Sequence, residues 1–168
     1  MPAQTNRRKF LLSGLVGSVS AAALSWSMKP TKASSGKFEI TKTEEEWRAI
    51  LTDDQYAVLR QEATERPFTS PLNDEKRAGI FNCAGCELPL YDAATKFDSG
   101  TGWPSFYQSL ENAVGTKEDR SYFMLRTEVH CRRCGGHLGH IFNDGPPPTG
   151  MRHCINGVAL TFSPADEA

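Results

Sequence analysis

The chain lacks a long apolar run. Its one candidate, residues 10–24, is too short and too rich in Gly and Ser to serve as a membrane span. It also lacks surplus positive charge beyond residue 33, where 14 basic residues face 20 acidic ones for a net charge of −6. Binding to a phosphate backbone needs clustered Lys and Arg, so this balance argues against a nucleic-acid partner. No internal repeat is visible apart from two Cys-x-x-Cys pairs. Cysteine itself is scarce, at five in 168 residues. That scarcity makes the placing of each one informative.

Residues 1–33 hold five basic residues and no acid. Arg7, Arg8 and Lys9 precede the short apolar stretch, which runs toward small residues. This is the layout of an export signal, and the adjacent arginines match the twin-arginine class. Cleavage after Ala23 and cleavage after Ala33 both fit, and a short uncleaved anchor is the alternative. The expectation is a periplasmic protein that meets the membrane only during export. Residues 34–168 then form one monomeric domain, small enough to gain from a metal staple.

Thr43-Glu44-Glu45-Glu46 spells a capping box, with Trp47, Ile50 and Leu51 as the apolar face of a first helix. Thr52-Asp53-Asp54-Gln55 repeats the device and predicts a second helix through Tyr56, Leu59 and Ala63. Pro67 and Pro71 end helical possibilities. From Gly79 onward, apolar segments at 80–83, 122–129 and 157–162 alternate with Gly, Pro, Asp and Asn clusters, a pattern of strands and turns. Gly145-Pro146-Pro147-Pro148-Thr149-Gly150 must be a loop, because three prolines cannot share a ladder. The fold expected is mainly β, mostly antiparallel, with short N-terminal helices.

Cys83-Ala84-Gly85-Cys86 and Cys131-Arg132-Arg133-Cys134 each let a tight turn aim two sulfurs at one ion. Gly85 and Gly135 are expected to supply the positive φ of those turns. Four thiolates complete a closed tetrahedral zinc site. Two short disulfides or redox-active dithiols are the competing reading. A further alternative makes His137 and His140 the zinc ligands beside Cys131 and Cys134, which would leave Cys83 and Cys86 without a partner. Assigning the four cysteines to one Zn2+ leaves Cys154, in Arg152-His153-Cys154-Ile155-Asn156, free for chemistry. A neighbouring cation favours the reactive thiolate, so Cys154 is the candidate nucleophile, against the plainer reading of a buried strand cysteine. His137 and His140 can pass a proton near neutrality, and Asp144 is placed to orient one ring. Pro104 restricts Trp103 to extended angles, making the indole a rigid platform for a methyl or sulfur group.

Taken in order, the two cysteine pairs, Gly-Trp-Pro-Ser-Phe at 102–106, His-Leu-Gly-His-Ile-Phe-Asn-Asp-Gly-Pro at 137–146 and Arg-His-Cys-Ile-Asn at 152–156 closely resemble the B-type peptide methionine-R-sulfoxide reductases. The resemblance covers about residues 47–162. It implies a β-tent-like pair of antiparallel sheets stapled by zinc, and repair of oxidised methionine in protein substrates. It makes Cys154 the nucleophile on the sulfoxide sulfur. His137 and His140 bind and protonate the oxygen as it leaves as water, with Asp144 supporting them. Arg152 lowers the Cys154 pKa, and Asn156 holds the hydrogen-bond network. Trp103 walls the substrate methyl, with Phe142 beside it. The product is methionine, and Cys154 is left as a sulfenic acid.

Two departures stand out. Many relatives carry a resolving cysteine where this chain has Thr101, so the expected reductant is a thioredoxin-like protein or a small thiol acting from outside. A serine often follows the asparagine of the active-site strand, and here it is Gly157. Two rivals remain: a non-catalytic zinc β-tent that binds another protein, and a thiol-dependent zinc enzyme acting on glutathione adducts.

Overall fold

The computed structural model describes residues 38–121 and 124–165. The export-signal expectation therefore falls outside the described residues. Helix α1 runs Glu44–Ile50 and helix α2 runs Asp53–Gln61. Both capping boxes form as spelled. Glu46 N–H donates to Thr43 Oγ1 at 3.2 Å and Thr43 N–H to Glu46 Oε2 at 2.7 Å. Gln55 and Thr52 make the same exchange at 3.2 and 3.0 Å. Each box satisfies two of the amide donors that a helix start leaves open.

The apolar face of α1 differs from expectation at one position. Trp47 and Leu51 are buried, but Ile50 is 55% exposed. Trp47 and Leu51 are four apart and share a face, and in so short a helix Ile50 falls on its rim. Helix α2 buries Tyr56, Val58 and Leu59 and stops before Ala63. Glu62 turns left-handed with φ 57°, and Ala63 N–H closes onto the Ala57 carbonyl at 3.0 Å. Pro71 opens a 3-10 turn, Pro71–Asn73, rather than barring one. Its fixed φ suits a first helical position, and Ser70 caps it. No helix among the described residues is long and apolar enough to cross a membrane.

Nine strands follow among the described residues: β1 Gly79–Cys83, β2 Pro89–Asp92, β3 Lys96–Phe97, β4 Ser105–Phe106, β5 Val114–Asp119, β6 Arg126–Cys131, β7 His137–Phe142, β8 Arg152–Ile155 and β9 Leu160–Pro164. They form two antiparallel sheets, one ordered β2-β1-β9 and the other β3-β4-β8-β7-β6-β5. The mainly β architecture with two sheets and short N-terminal helices is the one expected. The sheets meet through aromatic rings. Phe106 of β4 stacks on Tyr91 of β2 at 4.3 Å and meets Phe81 of β1 edge-on at 5.0 Å. All three rings are fully buried, and such pairs add about 0.5–1.5 kcal/mol each beyond burial.

Two strand boundaries shift. The segment expected at 122–129 pairs as Arg126–Cys131, with Tyr122 and Phe123 outside the described residues. The segment expected at 157–162 begins as a 3-10 turn, Gly157–Ala159, before β9. The amides of Gly157 and Val158 are held by the Glu65 carboxylate at 2.6 and 3.3 Å, so they cannot join a ladder.

Candidate active site and metal centre

The two Cys-x-x-Cys turns are copies of one backbone device. Cys83 N–H donates to the Leu88 carbonyl at 2.9 Å, and Cys131 N–H to the Gly136 carbonyl at 2.8 Å. Glu87 N–H returns to Cys83, and Gly135 N–H to Cys131, each at 2.8 Å. The fifth residue of each turn is left-handed: Gly135 at φ 68°, and Glu87 at φ 59°. Gly85 was expected to fill that role, but it sits two places early and has no positive φ. At Gly135 a side chain would also strike the Phe38 ring, 2.3 Å from where its Cβ would lie.

The turns bring the sulfurs of Cys83, Cys86, Cys131 and Cys134 all within 4.8 Å of one another. Cys83 and Cys134 are 3.7 Å apart, and Cys86 and Cys131 3.5 Å. A tetrahedron with metal–sulfur bonds of about 2.3 Å has edges of about 3.8 Å. A disulfide needs about 2.05 Å. The geometry therefore fits one metal ion and not a pair of bridges, and neither His137 nor His140 belongs to the cluster. The clustered thiols also divide protons unevenly. Contact with Cys131 pushes Cys83 up, while contact with Cys134 holds Cys131 far below the ordinary thiol range. Cys83, Cys86, Cys131 and Cys134 would hold a dication, which would resolve that conflict by favouring thiolate at all four. Helix α2 backs the centre, with Arg60 Nη1 donating to the Cys134 carbonyl at 3.0 Å.

Cys154 lies outside this cluster, in the middle of the large sheet. Pairing aligns Ser105, Cys154, His140, Glu128 and Lys117 on β4, β8, β7, β6 and β5. Directly opposite residues share a face, so these side chains form one transverse row across five strands. Arg152 is two residues from Cys154 and opposite Phe142, which puts a second pair on the same face.

Cys154 is partly buried, with Thr101 Oγ1 3.9 Å from its sulfur. Thr101 shares a hydrogen bond with Ser99 Oγ at 2.8 Å, and Ser99 shares another with Ser105 Oγ at 2.7 Å. A chain of hydroxyls thus ends at the sulfur. Burial pushes the Cys154 thiol above its ordinary value, against the Thr101 hydroxyl and the Arg152 charge, which both favour thiolate. Arg152 was expected to lower this pKa, and it does pull downward, but burial wins.

Asp144 does not orient a histidine, contrary to expectation: both of its oxygens accept from Arg152, Oδ1 from Nε and Oδ2 from Nη2, each at 2.9 Å. That fork fixes the guanidinium, which also lies 4.4 Å over the Phe142 ring. Phe142 is therefore first a platform for Arg152. The histidines have other acids. His140 Nε2 lies 2.8 Å from Asp119 Oδ2, and His137 Nδ1 lies 2.8 Å from Glu128 Oε1. The two rings meet edge-on at 5.5 Å. Burial lowers both, His137 to about 4. The bond to Asp119 opposes burial at His140.

Trp103 and Asn156 are tied through Glu65. Trp103 Nε1 donates to the Glu65 carbonyl at 2.9 Å, and Glu65 N–H to Asn156 Oδ1 at 2.8 Å. Asn156 Nδ2 in turn donates to the Leu138 carbonyl at 2.9 Å. With its carboxylate on Gly157 and Val158, Glu65 binds the indole to the exit of β8. Trp103 also walls a cavity of about 450 Å³ with Phe68, Phe97 and Lys96, which Cys154 does not line. At Gly157, a Cβ would lie 1.8 Å from Ser70 Oγ. The buried Ser70 occupies the space that a serine at 157 would need.

Sequence reading missed Glu65, Asp119 and Glu128. The one signal for Glu128 was its register opposite His140, which appears only once β6 and β7 are aligned.

A family model described as "SelR domain" matches residues 51–164. The peptide methionine sulfoxide reductase MsrB of Pseudomonas putida (strain W619) is 58% identical over 131 residues, 77% of this chain and 98% of that protein. Its namesake from Pseudomonas entomophila (strain L48) is 54% identical over 129 residues, 76% of this chain and 98% of its own. The MsrB of Methanosarcina barkeri (strain Fusaro / DSM 804) is 55% identical over 129 residues, 76% of this chain and 91% of that protein. The matched span contains all five cysteines, both paired histidines and the indole described above. The chain belongs to the SelR-domain family of B-type peptide methionine sulfoxide reductases.

Proposed function

We propose that the chain reduces peptide-bound methionine-R-sulfoxide to methionine in a thiol-dependent cycle, repairing oxidised proteins outside the cytoplasm. The observation that carries this reading is the position of Cys154. It is a free thiol apart from the metal cluster, set between His140 and Ser105 on one face of the sheet.

Cys154 attacks the sulfoxide sulfur as thiolate, while His137 and His140 bind the oxygen and supply protons. The oxygen departs as water and water returns to the Cys154 sulfur. The net change moves one oxygen atom: the sulfoxide S–O bond breaks, and Cys154 becomes a sulfenic acid that retains the thiol proton. Methionine sulfur gains the two electrons that Cys154 loses. Arg152, held by Asp144, favours the thiolate against burial. Trp103 receives the substrate methyl, with Phe142 at the margin, and Asn156 anchors the Glu65 segment that fixes the indole. The four-cysteine centre is a structural zinc site. A closed set of four thiolates leaves no position for substrate, and the ion contributes folding energy.

Thr101 cannot attack a sulfenic acid as a thiolate would. An outside thiol, from a thioredoxin-like protein or a small molecule, displaces water to form a mixed disulfide on Cys154. A second thiol then frees Cys154. The enzyme acts as a monomer in the periplasm, reached through a twin-arginine signal in residues 1–33.

Only one epimer can present its methyl to Trp103 and its oxygen to the histidines while Cys154 approaches from behind. Purified protein with reductant is expected to consume the R epimer and spare the S epimer; equal turnover sinks the assignment. Replacing Arg7 and Arg8 by Lys keeps the charge but removes a twin-arginine signature. Fractionation is expected to find the precursor in the cytoplasm, and unchanged delivery would refute that route.

A further inference from the structure

Glu128 is a carboxylate with 2% exposure in the interior strand β6. Buried carboxylates are rare unless paired and hydrogen-bonded, and an apolar residue of similar size is often no less stable. Its pairing here is lopsided. Oε1 meets His137 Nδ1 at 2.8 Å. Oε2 lies 2.8 Å from Lys117 Nζ, an ion pair whose angle does not make a hydrogen bond. Lys117 also reaches Glu62 Oε1 at 2.6 Å, which leaves its charge shared between two acids.

The other end of the imidazole is the informative one. His137 is 3% exposed, and its Nε2 is buried with no hydrogen-bond partner among the described residues. A carboxylate can only accept, so the bonded nitrogen carries the hydrogen and Nε2 holds the bare lone pair. His140 is held the opposite way, through Nε2 to Asp119. Two neighbouring rings thus offer different nitrogens.

We propose that Glu128 is a positioning residue for the reductase reaction, fixing His137 as the Nδ1–H tautomer and supporting the imidazolium formed when Nε2 takes a proton. This rests on the function proposed above. The proton taken up is the one released by the Cys154 thiol. His137 passes it to the sulfoxide oxygen as that S–O bond breaks, and the ring returns to neutral. The oxygen and proton end on Cys154 as the sulfenic acid, and the two electrons end on methionine. Lys117 Nζ, 2.8 Å from Oε2, sets a cation beside Glu128 without hydrogen-bonding to it.

The groups facing His137 are Lys117 and Asp119 from β5, Glu128, Arg126 and His130 from β6, His140 from β7, and Glu62 just after α2. Burial dominates and holds the ring near 4, with Glu62 opposing it and Lys117 reinforcing it. A ring so reluctant to charge depends on a fixed anion to become an acid during turnover.

The test reads ring nitrogens in the metal-loaded protein by long-range proton–nitrogen NMR across a pH series, alongside the pH profile of kcat/KM. In the wild type, Nδ1 is expected to carry the proton at neutral pH. Glu128→Gln keeps the shape and removes the charge. It is expected to move the His137 midpoint down by about one pH unit and to cut kcat about 10-fold with KM changed less than about 2-fold. Lys117→Met, which removes a nearby cation and leaves Glu128 in place, is expected to move the midpoint up. It serves as the second variant if Glu128→Gln fails to fold. A wild-type proton on Nε2, or a midpoint and kcat indifferent to both substitutions, overturns the proposal. Absence of turnover of either epimer by the wild type overturns the function itself. The two failures are separable because the spectra are recorded without substrate.

Discussion

The four sulfurs of the Cys-x-x-Cys turns and the single sulfur of β8 are one chemical group in opposite settings. The four are packed within 4.8 Å of one another, where no thiol can change protonation without its neighbours. Cys154 has no thiol neighbour in that cluster; it has a hydroxyl at 3.9 Å, a guanidinium two residues away and burial that favours the proton. The four are fixed by local turns that repeat the same amide bonds. Cys154 is fixed by strand pairing with β4 and β7. Turn geometry suits a cysteine for holding an ion, and sheet register suits one for meeting partners from distant parts of the chain.

The sharpest way to break this division is to exchange the losses. Cys83→Ser is expected to lose most bound metal and about 10 °C or more of Tm, because binding energy at a structural site is folding energy. Cys154→Ser is expected to keep metal and Tm and lose at least about 10³-fold in R-epimer turnover. Metal analysis, calorimetry and kinetics on both variants decide it, and loss of metal in Cys154→Ser would erase the distinction. One turnover without reductant, with a sulfenic-acid trap present, should label Cys154 alone. A disulfide from Cys154 to Cys83, Cys86, Cys131 or Cys134 would join the two sets of sulfurs.

A smaller effect tests the packing behind β8. Gly157→Ser places Cβ against Ser70 and should cost about 1–3 kcal/mol in denaturant unfolding, as overpacked sites do. Adding Ser70→Gly should recover much of that loss, since neighbours in contact are not additive. Equal losses with either residue at 70 would deny the contact.

The smallest changes sharpen the electrostatics of the single sulfur. Thr101→Val and Arg152→Met each remove a group that favours thiolate, so Cys154 should titrate higher still. Alkylation at about pH 7.5 should slow by about 3- to 10-fold in each. Asp144→Asn removes an anion that raises the thiol, so alkylation should quicken. The three rates form a set, and a faster Arg152→Met would reverse the assigned sign.

How much of this was legible in the sequence follows from how far apart the partners lie. Thr43 with Glu46, and Thr52 with Gln55, act within one helical turn and spell themselves out. The cysteine pairs are equally local. Asp144 misled because it stands four residues from His140, but at a strand end side chains answer across strands rather than along them. Its partner Arg152 lies on β8, across the 145–150 turn. Glu65 meets Asn156 and Gly157 from more than ninety residues away, with no motif to mark it. The glycine rule failed at Gly85 because the left-handed position is the fifth of the turn, and Glu87 accepts the strain there.

The transverse row of Ser105, Cys154, His140, Glu128 and Lys117 also limits how the chain can vary in length. In a strand, adding or deleting one residue turns every later side chain to the opposite face. One such change within β7 or β8 would leave the thiol and the imidazoles on different sides of the sheet and would turn the buried Leu138 or Ile155 out of the core. The 145–150 segment between those strands can gain or lose residues without that penalty. Descent should therefore leave insertions in that turn and none in the strands it joins, so that the spacing of gaps among descendants records the register that keeps these side chains on one face.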